Sequence, residues 1–508
     1  MQTIGIDGNS LTLEDLIRVS RENYRIELTE EAIEKIEKSR AIIDEFVDEG
    51  KVIYGITTGF GLFSNVLISK EDTKTLQRNL IVSDCCGVGN PYPEEVVRAS
   101  MLLRINALAK GFSGIRLSTL NVLIEMLNKG VHPIIPEKGS VGASGDLCPL
   151  AHMVLVMLGE GEAYYKGEMM PGAEVMRKAD IETVELVSKE GLALINGTCV
   201  LTAVGALAAY DAKMITKLAD ISAAMTIEAL NGIIDAYDPR IHEARPHEGQ
   251  IECAQNMLKL LKESKSTSRQ GEIRVQDAYT LRCIPQIHGA SRDAIDYIIR
   301  KVSIELNAAT DNPLIFAGSK DVISGGNFHG QPMALIFDFL GIAVAELANV
   351  CERRIERLVN PTLSGLPAFL VEDGGLNTGF MIPQYVAAAL VSENKVLAHP
   401  ACVDSIPTSA NQEDHVSMGS ISARQSREIL NNVMNVLGIE LMTASQAIEF
   451  GAKENLAEGT KAAYDKVREY VEPVKNDRVF YRDMKKCFDL VASHEIVKAV
   501  EEKIGELN

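Results

Sequence analysis

Residues Gly139-Ser140-Val141-Gly142-Ala143-Ser144-Gly145-Asp146 carry three glycines spaced by three, with only small side chains between them. Side chains this small admit backbone conformations that larger ones forbid. From Asp146 the stretch LCPLAHMVLVML runs to Leu158 with a helical pattern, and Pro149 is tolerable only in the first turn of that helix. The loop therefore empties into a helix N-terminus, where unpaired N–H groups and the helix dipole favour negative charge. A tight turn with an N-cap fits this spacing too. A phosphate loop does not, since there is no Gly-Lys-Ser/Thr and no strand is expected before the loop. Tyr279 and Arg282 are three residues apart and share a face on a short helix or turn. His242 and His247 are five apart with Pro246 between them, which spoils a shared helical face; no second ligand cluster lies near, and no metal is expected.

Rigid elements must carry these groups, and most of the sequence punctuates as helices. Thr12 and Asp15 form a capping-box pattern before Leu16, Ile17 and Val19; from Thr29, residues Ile33, Ile36, Ile43 and Val47 keep helical spacing until Gly50. Three long stretches have no internal proline: Cys199 to Asn231, Pro332 to Asn360 and Ile421 to Phe450. At 1.5 Å per residue each spans about 45 Å. Their apolar residues are rich in Ala and not confined to a stripe, as in GALAAYDAKMITKLADISAAM, the pattern of a helix surrounded by several neighbours. The fold expected is mainly α: an N-terminal domain over residues 1–200 that carries the Ala-Ser-Gly loop, then a long central helical bundle and C-terminal helical region over 201–508. Irregular segments at 54–66, 84–92, 131–149, 233–249, 264–278, 308–331, 361–379 and 400–419 lie between the helices, and loops on rigid helices are the usual carriers of function. SKSTSRQG, 264–271, reads as a mobile surface loop.

The chain has 508 residues, 46% apolar and 24% charged, so a sizeable core is possible and wholesale disorder is excluded. Lys plus Arg number 51 against 70 Asp plus Glu, a formal charge of −19 without a basic stripe. Nucleic acid is therefore not expected as a partner, and a small molecule is. The N-terminal MQTIGIDGNSLTLEDL lacks a basic segment followed by an apolar run, and no stretch reaches 18 uninterrupted apolar residues, so a cytoplasmic protein without a membrane partner is expected. Nine cysteines with no CxxC pair read as free thiols, Cys85 and Cys86 as small buried residues.

The triplet Ala143-Ser144-Gly145 within GSVGASGDLCPLAHM does not stand alone. YGITTGFG at 54–61, LINGT at 194–198, VQDAYTLRC at 275–283, TDNPLI at 310–315, GGNFHGQP at 325–332 and SIPTSANQEDHVSMG at 405–419 accompany it. Together they resemble the aromatic amino acid ammonia-lyase family, most closely its histidine-specific members, over essentially the whole chain. The resemblance implies a homotetramer with active sites shared between subunits. It implies a carbon–nitrogen lyase that converts L-histidine to trans-urocanate with 4-methylideneimidazole-5-one, formed autocatalytically from Ala143, Ser144 and Gly145, and with no external cofactor. The residues suit that chemistry: the Gly145 nitrogen reaches the Ala143 carbonyl only without a bulky Cβ, and dehydration at Ser144 leaves an electrophilic methylene. Covalent activation of the amine then splits a difficult elimination into smaller steps.

The resemblance makes Tyr54 the candidate base and gives Tyr279 positioning or proton relay, leaving open which of the two takes the proton; an ordinary tyrosine has a pKa near 10, which the site must lower. It gives Arg282 the substrate carboxylate. Asn196, Gln276 and Asn312 hydrogen-bond the substrate or the ring, Phe328 packs beside them, and Glu413 faces the imidazole. One departure leaves the substrate open. Ser83-Asp84 stands where the histidine enzymes usually carry Ser-His, and two acids near one pocket raise each other's pKa unless a cation lies between them. The alternative is a related lyase or 2,3-aminomutase acting on another cationic or aromatic amino acid. A non-catalytic scaffold or ligand-binding protein is the reading from another class, opposed by the intact triplet with Tyr54, Arg282 and Glu413.

Overall fold

The computed structural model describes residues 2–59, 61, 66–69 and 72–508; Phe60 of the YGITTGFG segment and parts of the 54–66 segment lie outside the described residues. Local capping chemistry sets the first helices. Thr12 Oγ1 accepts from the Asp15 N–H (3.1 Å) while the Thr12 N–H donates to the Asp15 carboxylate (3.3 Å), starting helix Leu13–Arg21. Thr29 caps helix Glu30–Asp48 through the Ala32 N–H.

The three long helices expected span Cys199–Ala229, Gln331–Val359 and Gly419–Ile448. A fourth, Ile284–Glu305, has Pro285 in its first turn, where the missing N–H has no intrahelical partner to lose. Cys199–Ala229 and Gln331–Val359 are long and apolar enough to cross a membrane, but 83% and 67% of their most apolar windows are buried within the protein. Burial of this extent accounts for their apolar character as core helices.

The chain divides into two compact units: Met1–Leu207 with Ile299–Asp338 and Pro400–Arg424, and Ala208–Ile298 with Phe339–His399 and Gln425–Asn508. The helical pattern of the sequence suggests one boundary, at residue 200. The observed division is interleaved because long helices carry the chain out of one unit and back again far along the sequence.

In the first unit, helix Glu94–Ala109 is buried on nearly every side, with Ala99, Leu102, Ile105 and Leu108 fully enclosed. Asn106 on this helix accepts from the Gly8 N–H (3.0 Å) and donates to the Leu306 carbonyl (2.8 Å), tying together segments far apart in sequence. The unit's strands are short. Thr3–Ile6 pairs in parallel with Arg25–Leu28, Val131–Pro133 with Glu162–Tyr165 and Glu168–Pro171 forms an antiparallel sheet, and Leu314–Phe316 pairs with Asp321–Ile323. Val88–Pro91 pairs antiparallel with Pro136–Lys138, so a strand does precede the glycine loop, contrary to expectation. Three residues opening on proline, followed by two charged side chains, carry no alternating pattern to announce it.

The second unit buries charge along with its apolar helices. His288 Nδ1 and Arg292 Nη2 each lie 2.7 Å from Asp220, and Arg354 pairs with Glu440, all out of water. Residues 264–271 are anchored, not a free surface loop. Lys265 N–H donates to the Asn455 carbonyl (2.9 Å), Ser268 N–H donates to Gly232 (2.8 Å), and the small side chains of Ser266 and Ser268 are buried.

All nine cysteines are free thiols. Cys86 is exposed and Cys85 half-buried, whereas both were expected inside; they follow the end of helix Thr73–Asp84, where the chain leaves the packed face.

Candidate active site

Three distant segments clamp the glycine loop. The Gly330 N–H (3.2 Å) and the Ser417 hydroxyl (2.9 Å) donate to the Gly142 carbonyl, and the Met418 N–H donates to Val141 (2.8 Å). Asp146 N–H donates to the Gly197 carbonyl (2.7 Å), and Gly197 N–H donates to Ser144 (3.3 Å). Gly142 and Gly145 have φ of +67° and +71°, and a Cβ on Gly145 would lie 2.1 Å from the Gly197 oxygen. Only glycine meets both conditions. Ala143 packs against Val416 and Met418.

Asp146 opens helix Leu147–Met157 without capping it. Its buried carboxylate instead accepts from the Leu201 N–H (2.7 Å), Ser140 Oγ (3.0 Å) and Ser420 Oγ (2.9 Å). Burial pushes its pKa up to about 6 against the pull of those donors.

Ala143 and Ser144 open onto a cavity of about 550 Å³, also lined by Tyr54, Asn196, Asn312, Phe328 and Glu413. Seven of the residues singled out in the sequence thus converge on one space. The Ser144 hydroxyl donates to Glu413 Oε1 at 2.8 Å. Thr408 holds the other carboxylate oxygen through its hydroxyl, and the two residues exchange backbone hydrogen bonds at 3.0 and 3.3 Å. The three residues between these partners that follow Thr408, Ser409 to Asn411, all have positive φ (51°, 51° and 66°), a strained turn of the kind stored at functional loops. Asn312 Oδ1 accepts from the Gly325 N–H (2.7 Å), while Asn196 Oδ1 has no hydrogen-bond partner among the described residues. The Gly61 N–H lies 3.4 Å from the Tyr54 hydroxyl oxygen.

Asp84 ends helix Thr73–Asp84. Burial raises its pKa, the Ser83 hydroxyl opposes the rise, and the charge of Glu413 adds to it. Asp84 itself is not among the residues that line the cavity.

Gln276, Tyr279 and Arg282 lie in the second unit and do not line this cavity. Tyr279 and Arg282 share the turn Tyr279–Arg282, with the guanidinium 4.7 Å from the ring centre. Tyr279 is 68% exposed, and Arg282 Nε has no partner among the described residues. Gln276 and Arg282 line a second cavity of about 280 Å³. Buried groups fix the turn: the Tyr237 hydroxyl donates to the Leu281 carbonyl (2.8 Å), and Asp277 accepts from Ile233 N–H (2.6 Å) and Arg274 Nε (2.8 Å).

The sequence reading passed over His329 and His415, which also line the cavity with their rings stacked 6.0 Å apart. Their signal was their place within GGNFHGQP and SIPTSANQEDHVSMG. Asp220 and Cys253 carried no such signal, and with His288 they bring potential ligand atoms within 4.8 Å of one another. Asp220 is already bonded by Arg292 and Asn256, and Arg354 Nη1 lies 3.3 Å from His288 Nε2. Guanidinium groups occupy the places a cation would take, which makes this cluster an ion-pair network.

A family model described as aromatic amino acid lyase matches residues 11–469. A histidine ammonia-lyase of Alkaliphilus oremlandii is 65% identical over 504 residues, 99% of each chain. Among solved structures, a histidine ammonia-lyase from Trypanosoma cruzi superposes with a TM-score of 0.92 at 44% identity, covering 99% of this chain and 95% of that one. A tyrosine aminomutase from Streptomyces globisporus superposes with a TM-score of 0.96 at 39% identity, covering 100% of both. With its glycine loop, its cavity and this extent of likeness, the chain belongs to the aromatic amino acid lyase family.

Proposed function

We propose that this protein is a carbon–nitrogen lyase that eliminates ammonia from L-histidine to give trans-urocanate, using 4-methylideneimidazole-5-one made from its own Ala143, Ser144 and Gly145. The observation that carries the reading is the Ser144 hydroxyl turned into the cavity against Glu413, 2.8 Å away. The 65% identical relative that bears the name histidine ammonia-lyase supports this choice of substrate. The loop fits the ring: Gly145 has no Cβ to obstruct closure, Ala143 is small, and the clamps on Gly142 and Gly197 hold the three residues together. The ring supplies an electrophile that takes up the substrate amine and so eases the departure of ammonia.

The remaining work falls to side chains. Tyr54 removes the β-proton. Once the Ser144 hydroxyl is gone, Glu413 Oε1 lacks its donor and accepts the imidazole N–H, while Asp84 adds negative charge that favours a side chain with donors. Asn196 Oδ1, without a partner among the described residues, accepts from the substrate amine; Phe328 packs beside the imidazole and Asn312 contributes to the cavity wall. Gln276, Tyr279 and Arg282 complete the site from another subunit of a homotetramer, Arg282 gripping the α-carboxylate with two N–H groups. The exposure of Tyr279 and the Arg282 Nε, which has no hydrogen-bond partner among the described residues, support this role. So does the stripe of Leu335, Phe339 and Ile342 on helix Gln331–Val359, whose side chains stay 56%, 42% and 45% exposed in the single chain.

Incubation of the purified protein with L-histidine, followed by ultraviolet absorption and product chromatography, tests the proposal. Urocanate and ammonia in equal amounts are expected. No urocanate, a β-amino acid product, or preferential turnover of arginine, lysine, tyrosine or phenylalanine contradicts it.

A further inference from the structure

Arg104 is fully buried on helix Glu94–Ala109, and among the described residues its guanidinium has no carboxylate partner. Nη1 donates to the carbonyls of Asn196 (2.8 Å) and Thr310 (3.1 Å) and lies 3.8 Å from the Cys199 sulfur. Nε and Nη2 have no hydrogen-bond partner among the described residues. The acid beside Thr310 is committed elsewhere, since Asp311 is bound by Lys189 at 2.8 Å. A buried cation resting on carbonyl dipoles is costly to keep.

Its contact has a direct line to the glycine loop. The Asn196 carbonyl and the Gly197 N–H are the two ends of one peptide group, and that N–H donates to the Ser144 carbonyl. Hydrogen bonds in series polarise one another, so a guanidinium on the carbonyl end strengthens the donor at the other. Gly197 leaves room for this approach: a Cβ there would lie 2.6 Å from Arg104 Nη1.

We propose that Arg104 is a positioning residue for maturation of the loop, acting through the Asn196–Gly197 peptide to stabilise negative charge on the Ser144 carbonyl oxygen. The inference rests on the proposed cyclisation. One water forms when the Gly145 nitrogen bonds to the Ala143 carbon, the Ala143 oxygen leaving with the protons of the Gly145 and Ser144 nitrogens. The second forms from the Ser144 α-proton and hydroxyl. The electron pair released from the Cα–H bond rests on the Ser144 carbonyl before it becomes the Cα=Cβ bond, and no oxidant is needed. Arg104 acts on this second loss.

Cell-free synthesis of wild type, Arg104→Met and Arg104→Lys, sampled over time by intact mass, with circular dichroism and size exclusion as controls of folding, tests this. The folded Met variant is expected to lose the second water about tenfold more slowly or worse, and the Lys variant, which keeps the charge but reaches fewer acceptors, to recover part of the rate. A folded Met variant that matures at the wild-type rate overturns the proposal. So does failure of both variants to assemble, which assigns Arg104 to folding. A wild type that never loses two waters overturns the cyclisation itself, and is distinguished by that control.

Discussion

The loop cavity of the first unit and the ion network of the second both gather acids and bases, and they differ in what each leaves unsatisfied. In the network, Asp220 receives His288, Arg292 and Asn256, while Glu440 receives Arg354 and Ser222. Every carboxylate there has fixed donors, and burial keeps the His288 pKa below its ordinary value, so the imidazole contributes geometry without adding charge. In the cavity, Glu413 is paired with a hydroxyl that is proposed to leave, and Asn196 Oδ1 has no partner. Matched buried charge holds the helices in register; residual hydrogen-bonding capacity beside open space is what a substrate can use.

Substitutions on the two sides of this comparison should separate cleanly. Ser144→Ala removes only the hydroxyl, and should assemble normally while losing about four orders of magnitude or more in kcat, read from urocanate formation. Glu440→Gln strikes the network instead. It leaves Arg354 without its counter-charge, and should lower the free energy of unfolding in urea by about 3–5 kcal/mol without slowing water loss in the molecules that fold.

Asp146 belongs to both kinds of region, because it is buried like the network yet holds the reactive loop. Its pKa of about 6 in the folded state lies above the unfolded value of about 3.9, so the folded state binds the proton more tightly. Its contribution to stability is present in full below about pH 4 and is lost as pH rises through about 6. Relative to Asp146→Asn, wild type should therefore lose about 3 kcal/mol of unfolding free energy across that interval, measured by urea titrations at each pH. The smallest effect expected is that of Glu413→Gln, which keeps the shape and removes the charge. A loss of about a hundredfold in kcat/KM for histidine should accompany unchanged loss of water from the loop.

The helices and the loop were legible because their signals are local. Thr12 with Asp15, Thr29 with Gly50, and the Ala-rich runs each announce an element within a few residues, and the observed long helices end within two residues of the expected positions. The motifs carrying Tyr54, Asn196, Asn312, Phe328 and Glu413 likewise gave residues that the fold brings to one cavity. What long-range contacts decide was not legible. Asp146 reads as an N-cap but reaches Leu201 and Ser420; Arg104 sits unannounced in the apolar run LLRINALA; and His288 gives no sign that Asp220 and Arg354 will surround it. The return of Asn312, Phe328 and Glu413 to the first unit, far beyond the expected boundary at residue 200, follows from the interleaved path of the chain, which no spacing along the sequence encodes.

The covalent state of Ala143-Ser144-Gly145 is the point on which all else turns. Peptide mass spectrometry of the purified wild-type protein across residues 139–152 measures it. A fragment lighter than its translated sequence by two waters is expected, and a fragment of full unmodified mass from assembled protein would contradict the cyclisation.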